Sequence, residues 1–134
     1  MTSVDAAPPE EGPSLLSIGE VADLSGVPAT TIRYYDRIGL VEPVARVGDK
    51  RRFDHAVLRR LVAIGLCIDA GFSLDEVREL LADDSPGRVA SRELARRKLA
   101  EIDEQRRRLD VARVLVERGL RCTCPALDSC VCDA

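Results

Sequence analysis

Three observations predict a mainly α fold for this chain. Its 134 residues include two Phe, two Tyr and no Trp, so a core must be built from Leu, Val, Ile and Ala, which suits helices packed on helices. Two Ser-x-x-Glu sequences, Ser17 to Glu20 and Ser73 to Glu76, read as capping boxes that open helices. From about Arg88 to Gly119 nothing interrupts helical pattern, roughly 32 residues or ~48 Å at the α-helical rise.

Residues 1–14 form an acidic tail with three prolines and no basic residue, expected to be disordered. It has neither the positive nor the apolar region of a secretion signal, and no stretch reaches the roughly 18 apolar residues of a membrane span. A cytoplasmic protein with no membrane association is therefore expected.

Ser17 caps a short helix that runs to about Leu24. Ser25-Gly26-Val27-Pro28 breaks it, Gly allowing positive φ and Pro opening a second helix through Arg37. Ile18, Val21, Ala22, Leu24, Val27 and Ile32 are spaced to bury one side of two helices meeting at a tight turn, as in a helix-turn-helix or in an ordinary helical hairpin. The stretch Gly39 to Phe53 then carries β-branched residues, Pro43 and a Gly48-Asp49 turn signal, which predicts a two-stranded wing tipped by Lys50, Arg51 and Arg52 and anchored by Phe53.

Ile18-Gly-Glu-Val-Ala, Ser25-Gly-Val, Thr31-Ile-Arg-Tyr-Tyr-Asp, Gly39-Leu, Arg51-Arg-Phe and Ala70-Gly-Phe-Ser-Leu-Asp-Glu-Val together resemble the MerR family of transcription regulators, over about residues 15–121. The resemblance implies a winged helix-turn-helix DNA-binding domain (15–84), a long dimerisation helix pairing as an antiparallel coiled coil (85–120) and a C-terminal Cys-rich effector loop (121–134). It implies a homodimer bound to a two-fold symmetric operator in double-stranded promoter DNA, acting on RNA polymerase there. The second helix would enter the major groove, making Thr30, Thr31 and Arg33 candidate contacts. Tyr34 and Tyr35 follow, one expected to pack and the other to meet a phosphate, with Arg37, Lys50, Arg51 and Arg52 on flanking phosphates.

Net charge is −3, yet it is segregated. Residues 33–60 hold eight Lys/Arg against four Asp/Glu, whereas 69–84 hold one against six. DNA senses the field within about 10 Å, so a basic segment in an acidic chain is compatible with phosphate contact.

Asp54 is placed to cap a third helix, which carries Val57, Leu58, Leu61, Val62, Ile64, Leu66 and Ile68 and stops at Gly71; Cys67 within it suits a structural thiol. A fourth helix runs from Ser73 to about Ala82 with Leu74, Val77, Leu80 and Leu81 inward. On the long helix Leu94, Leu99, Ile102, Leu109, Ala112, Val116 and Leu120 form an apolar stripe near heptad spacing, to be covered by a second chain or by folding back.

Four of the five cysteines, Cys122, Cys124, Cys130 and Cys132, stand in an eleven-residue C-x-C-x5-C-x-C pattern. Four thiolates so placed can hold a metal ion, an iron–sulfur cluster or pair as disulfides. Within the resembled family the Cys122 to Cys130 separation matches a copper-sensing branch, implying a linear monovalent ion. A zinc-like divalent ion would need all its ligands from this tail, because residues 86–94 contain no Cys. The pattern of the [2Fe-2S] branch fits Cys122, Cys124 and Cys130 but places Gly119 where its first Cys would stand. An enzyme is not expected: His55 is the single histidine, and no catalytic constellation is evident. A metal-storage protein without a regulatory role is the competing class.

Overall fold

The structure, a computed structural model, describes residues 14–132, so the expected acidic tail lies outside the described residues except for Ser14. The chain divides after Asp84 into two compact units. The first comprises β1 (Leu16–Ser17), α1 (Ile18–Ser25), α2 (Ala29–Arg37), β2 (Ala45–Val47), β3 (Lys50–Phe53), α3 (Ala56–Asp69) and α4 (Leu74–Ala82). The second is α5 (Val89–Arg121), entered through a 3-10 turn at Pro86–Arg88 and followed by a Cys-rich loop with a further turn at Leu127–Ser129.

Both capping boxes are formed. Ser17 Oγ accepts the Glu20 N–H at 3.1 Å while Glu20 Oε1 accepts the Ser17 N–H at 3.2 Å, and Ser73 and Glu76 repeat the exchange at 3.1 and 2.8 Å. Gly26, at φ 73°, ends α1 in the left-handed region and donates to Ala22, which turns the chain into α2. Asp54 Oδ1 accepts the Ala56 N–H at 2.9 Å at the start of α3.

The wing belongs to a three-stranded antiparallel sheet in the order β1-β3-β2. Leu16 pairs with Phe53 and Arg46 with Arg51. The third strand, β1, is an addition to the two-stranded wing expected from sequence; two residues directly before a helix cap are too short to show alternation. Gly48 and Asp49 both have positive φ, 55° and 64°, the requirement of a two-residue I′ hairpin turn, whose twist matches that of the strands it joins.

Val21, Ile32, Leu40, Val41, Phe53, Ile64 and Val77 are fully buried and draw α1, α2, the wing, α3 and α4 around one core. Phe53 anchors the wing there, and Cys67 packs half-buried against the cluster. Leu24 departs from the expected apolar face: it is 62% exposed, because Val21 and Ala22 already occupy the inward side of a helix only eight residues long. On α3, Val57, Leu61 and Ile64 are buried while Val62 and Leu66 face outward.

Helix α5 carries its charges as intrahelical pairs at i,i+3 or i,i+4, among them Arg96 with Glu93, Lys98 with Glu101, Arg107 with Glu104 and Arg113 with Glu117. Of its expected apolar stripe Leu94 is buried, whereas Leu99, Leu109, Val116 and Leu120 are exposed. No helix among the described residues is long and apolar enough to cross a membrane.

Candidate DNA-reading surface and thiol centre

Helix α2 and the wing build a basic surface together. Thr30, Arg33, Tyr34 and Arg37 are exposed on α2, and Thr31 is half-buried. The Arg37 guanidinium lies 5.7 Å from the centre of the Tyr34 ring, a cation–π contact that holds both side chains at the surface. The two tyrosines differ: Tyr35 packs against the core, while Tyr34 is 42% exposed.

Between α2 and the wing lies a depression of about 400 Å3 lined by Ser17, Ile18, Arg33, Asp49, Lys50, Arg51 and Arg52. Lys50 is exposed at the tip, and Arg52 donates to the Arg51 carbonyl at 3.1 Å. Arg51 is engaged within the protein: its Nε donates to Asp36 Oδ2 at 2.5 Å, and Arg46 approaches the same carboxylate at 3.9 Å. Asp36 thus ties the wing to α2 and fixes the offset between them.

Asp36 in this role was not foreseen, nor were two arginines that act on backbone. Arg60 donates to the Leu40 carbonyl and Arg78 to the Ile38 carbonyl, satisfying acceptors left at the end of α2. These bonds span 20 and 40 residues of sequence, and no local pattern announces them.

The four loop cysteines converge just beyond the end of α5. Their sulfurs all lie within 4.8 Å of one another. Cys122 Sγ is 3.6 Å from Cys130 Sγ and 3.5 Å from Cys132 Sγ, and Cys124 Sγ is 3.7 Å from Cys132 Sγ. The loop achieves this by folding back through Pro125 and the turn at Leu127–Ser129, where Cys130 donates its N–H to the Leu127 carbonyl. Cys122 and Cys124 are half-buried, and Cys130 and Cys132 are exposed. The concavity beside them, about 630 Å3, is walled by Leu115, Arg118, Gly119, Pro125, Ala126 and Leu127. A Cβ at Gly119 would meet only open space.

The sulfurs are electrostatically unequal. Cys122 is lowered to about 7, chiefly because the Cys124 N–H donates to its sulfur at 3.4 Å and then through the Cys132, Cys130 and Cys124 thiols. Cys132 is pushed up to about 12 by its bonds to Cys122, Cys130 and Cys124. For Cys130 the Cys132 N–H pulls downward, but bonds to Cys122 and Cys124 leave the net direction upward. Near neutral pH Cys122 carries thiolate character beside the raised Cys130 and Cys132 thiols, whose protons a cation would displace.

The donor set fits a thiophilic cation. A tetrahedral ion with metal–sulfur bonds of ~2.3 Å sets its sulfurs ~3.8 Å apart, and a linear two-thiolate ion of the same bond length sets them ~4.6 Å apart. The closest sulfur pairs here stand at 3.5 to 3.7 Å, beside the tetrahedral value.

Comparison with known proteins identifies the family. A family model described as MerR HTH family regulatory protein matches residues 16–84, and one described as MerR, DNA binding matches residues 58–117. The chain is 35% identical over 105 residues to the HTH-type transcriptional regulator HmrR of Rhizobium leguminosarum bv. viciae, covering 76% of this chain and 81% of that one. It is 39% identical over 114 residues to the mercuric resistance operon regulatory protein of Shigella flexneri, covering 83% and 78%. Among solved structures it resembles the transcription regulator PbrR691 from Ralstonia metallidurans CH34 in complex with lead(II), with a TM-score of 0.69, 27% identity and coverage of 86% and 94%. These relatives are regulators, not enzymes. With a helix-turn-helix and wing in its first unit, a long helix ending in four clustered thiols in its second, and family models spanning both, the chain belongs to the MerR family of DNA-binding transcription regulators.

Proposed function

We propose that the protein is a homodimeric, metal-responsive promoter switch whose effector is a soft divalent ion held by Cys122, Cys124, Cys130 and Cys132 of one chain. Four sulfurs within 4.8 Å of one another, three of their contacts at 3.5 to 3.7 Å, carry this reading. They favour a four-coordinate ion over a linear monovalent one held by Cys122 and Cys130 alone. The relatives include a mercuric resistance regulator and PbrR691, solved in complex with lead(II), and mercury and lead belong to this thiophilic class.

Residues 15–84 serve as the DNA-binding head, 85–120 as the pairing helix and 121–134 as the effector loop. Two α5 helices pack antiparallel through the exposed stripe, which fixes the spacing of the two heads on a two-fold symmetric operator. On each half-site Thr30, Thr31 and Arg33 face the major groove, and Tyr34, Arg37, Lys50 and Arg52 take phosphates. Tyr35 and Arg51 hold α2 and the wing in register behind them.

The loop residues act on the end of α5. Four thiolates around a divalent ion leave a net negative charge at a helix C-terminus, where the dipole disfavours it; Arg118, on the wall of the concavity, and Arg121 in the same last turn offset that charge. Ordering the loop biases the relative angle of the heads, and thereby the twist of the promoter presented to RNA polymerase. Deforming DNA costs a few kcal/mol, so the thiols must prefer one arrangement of the heads by a comparable amount.

The test is an operator footprint with and without Zn(II), Pb(II) or Hg(II), beside a Co(II)-substituted sample. Protection of an inverted repeat, metal-dependent transcription and the visible spectrum of tetrahedral thiolate-bound Co(II) are expected. Replacing all four cysteines with Ser should leave operator affinity within about twofold and abolish the response; loss of operator affinity would make the centre structural instead. A metal-binding dimer that protects no DNA would make it a storage protein. A brown protein bleached by dithionite would transfer the centre to the iron–sulfur reading.

A further inference from the structure

The sulfurs that would hold an ion also stand where oxidation can join them. Cys122 and Cys130 are 3.6 Å apart at sulfur, Cys124 and Cys132 are 3.7 Å apart, and all four thiols are free. A disulfide bond is ~2.05 Å long, so each pair has about 1.6 Å to close, within the reach of rotamer changes in a loop. Cys130 and Cys132, one member of each pair, are exposed to a small oxidant.

The geometry points to a second input at this centre: a hydroperoxide converts the four thiolates to two disulfides, Cys122–Cys130 and Cys124–Cys132, and so removes every ligand of the bound ion. The release of metal rests on the four-thiolate reading above; the disulfide pairing does not. The pairing follows from the contacts. Cys122 also touches Cys132, at 3.5 Å, but that choice leaves Cys124 to find Cys130, whereas the proposed partition closes two sulfur contacts already made. Joining the members of either Cys-x-Cys would close a small, strained ring.

In each pair one thiolate sulfur attacks a peroxide oxygen. The O–O bond breaks, a sulfenic acid forms and hydroxide or alkoxide departs. The partner thiolate then attacks the sulfenic sulfur, the S–S bond forms and hydroxide leaves. Two electrons pass from the two sulfurs to one peroxide, so two equivalents close both pairs, and the ion departs without changing its own oxidation state. Cys67 is the internal reference: it is half-buried in the core of the other unit and has no neighbour cysteine in sequence.

The experiment takes the full chain loaded with Zn(II) and adds two equivalents of hydrogen peroxide. Zinc in solution is followed with a chromogenic chelator, free thiols are titrated and the intact mass is recorded. Expected are one zinc released per chain, loss of four of the five thiols, a mass lower by four hydrogens, and recovery of zinc binding after dithiothreitol. In Cys132→Ser the oxidised protein should retain Cys124 and Cys67 as its alkylatable thiols; alkylation of Cys130 instead would overturn the pairing. Zinc retained through peroxide treatment, oxidation to sulfinic acid, or crosslinks between chains would overturn the switch while leaving the metal reading intact. A protein that takes up no zinc before peroxide would sink the metal reading, and the thiol titration and mass would still test the disulfides.

Discussion

The two units bury their apolar residues in opposite ways. In the first, Phe53, Ile32, Leu40, Ile64 and Val21 are fully enclosed by elements of the same 70-odd residues. In the second, Leu109, Val111, Val116 and Leu120 stand in solvent along a single helix, Leu120 at 84% exposure. The head therefore completes its own core, whereas α5 presents a face that only another surface can complete. The self-contained part is the proposed DNA-binding head, and the incomplete part is the one the thiols terminate.

The sharpest way to break this contrast is to damage the self-contained core. Phe53→Ala should cost the head ~3–5 kcal/mol, read by chemical denaturation followed by circular dichroism, while zinc uptake by the loop keeps its stoichiometry. Uptake that falls in parallel would mean the units do not fold separately. Next is the open face: Leu109→Asp should weaken self-association about 30-fold, or ~2 kcal/mol, in sedimentation equilibrium. Association as tight as the parent's would remove α5 as the pairing element.

Smaller effects refine the head. Asp36→Ala frees Arg51 from its carboxylate and should lower stability by about 1 kcal/mol, with a larger loss in operator affinity than in nonspecific DNA binding, since the wing loses its register against α2. Ser17→Ala should cost about 1 kcal/mol by removing one half of a capping box. The same box makes a mild pH signature. Glu20 is held below its ordinary value of 4.5, first by the Ser17 backbone N–H and then by its side chain, with smaller help from Arg52 and His55. A lowered carboxylate contributes stability that is complete above that value and is lost as pH falls through the folded-state pKa. Denaturation midpoints should thus drop on acidification in the parent and drop less in Ser17→Ala.

Much of this was legible in the sequence because it is local. Both capping boxes, the left-handed Gly26, the Gly48-Asp49 turn and the uninterrupted long helix are dictated by residues within a few positions of each other. The four cysteines were equally open to reading as one cluster, since Cys-x-Cys pairs flanking a Pro125-containing turn can fold back on each other. What stayed hidden is long-range. Strand β1 exists because Phe53 sits opposite Leu16, and Asp36 acquires its role only when the hairpin returns Arg51 to it. Leu24 misled because periodicity marks an apolar side without saying how many residues a short helix has room to bury. The inequality among the sulfurs depends on the Cys124 N–H pointing at Cys122 and on the thiol contacts that raise Cys132, and spacing alone does not carry that.

All four sulfurs of the centre come from one chain. In the proposed homodimer each chain would bring a whole input of its own instead of half of a shared one, and the promoter would read a logic gate. If either filled centre turns the heads, the gate is an OR and transcription rises in proportion to ion concentration; if both are required it is an AND, and the dose curve steepens. A mixed pair, one chain intact and one with its four cysteines replaced by Ser, distinguishes the two by whether it answers at all.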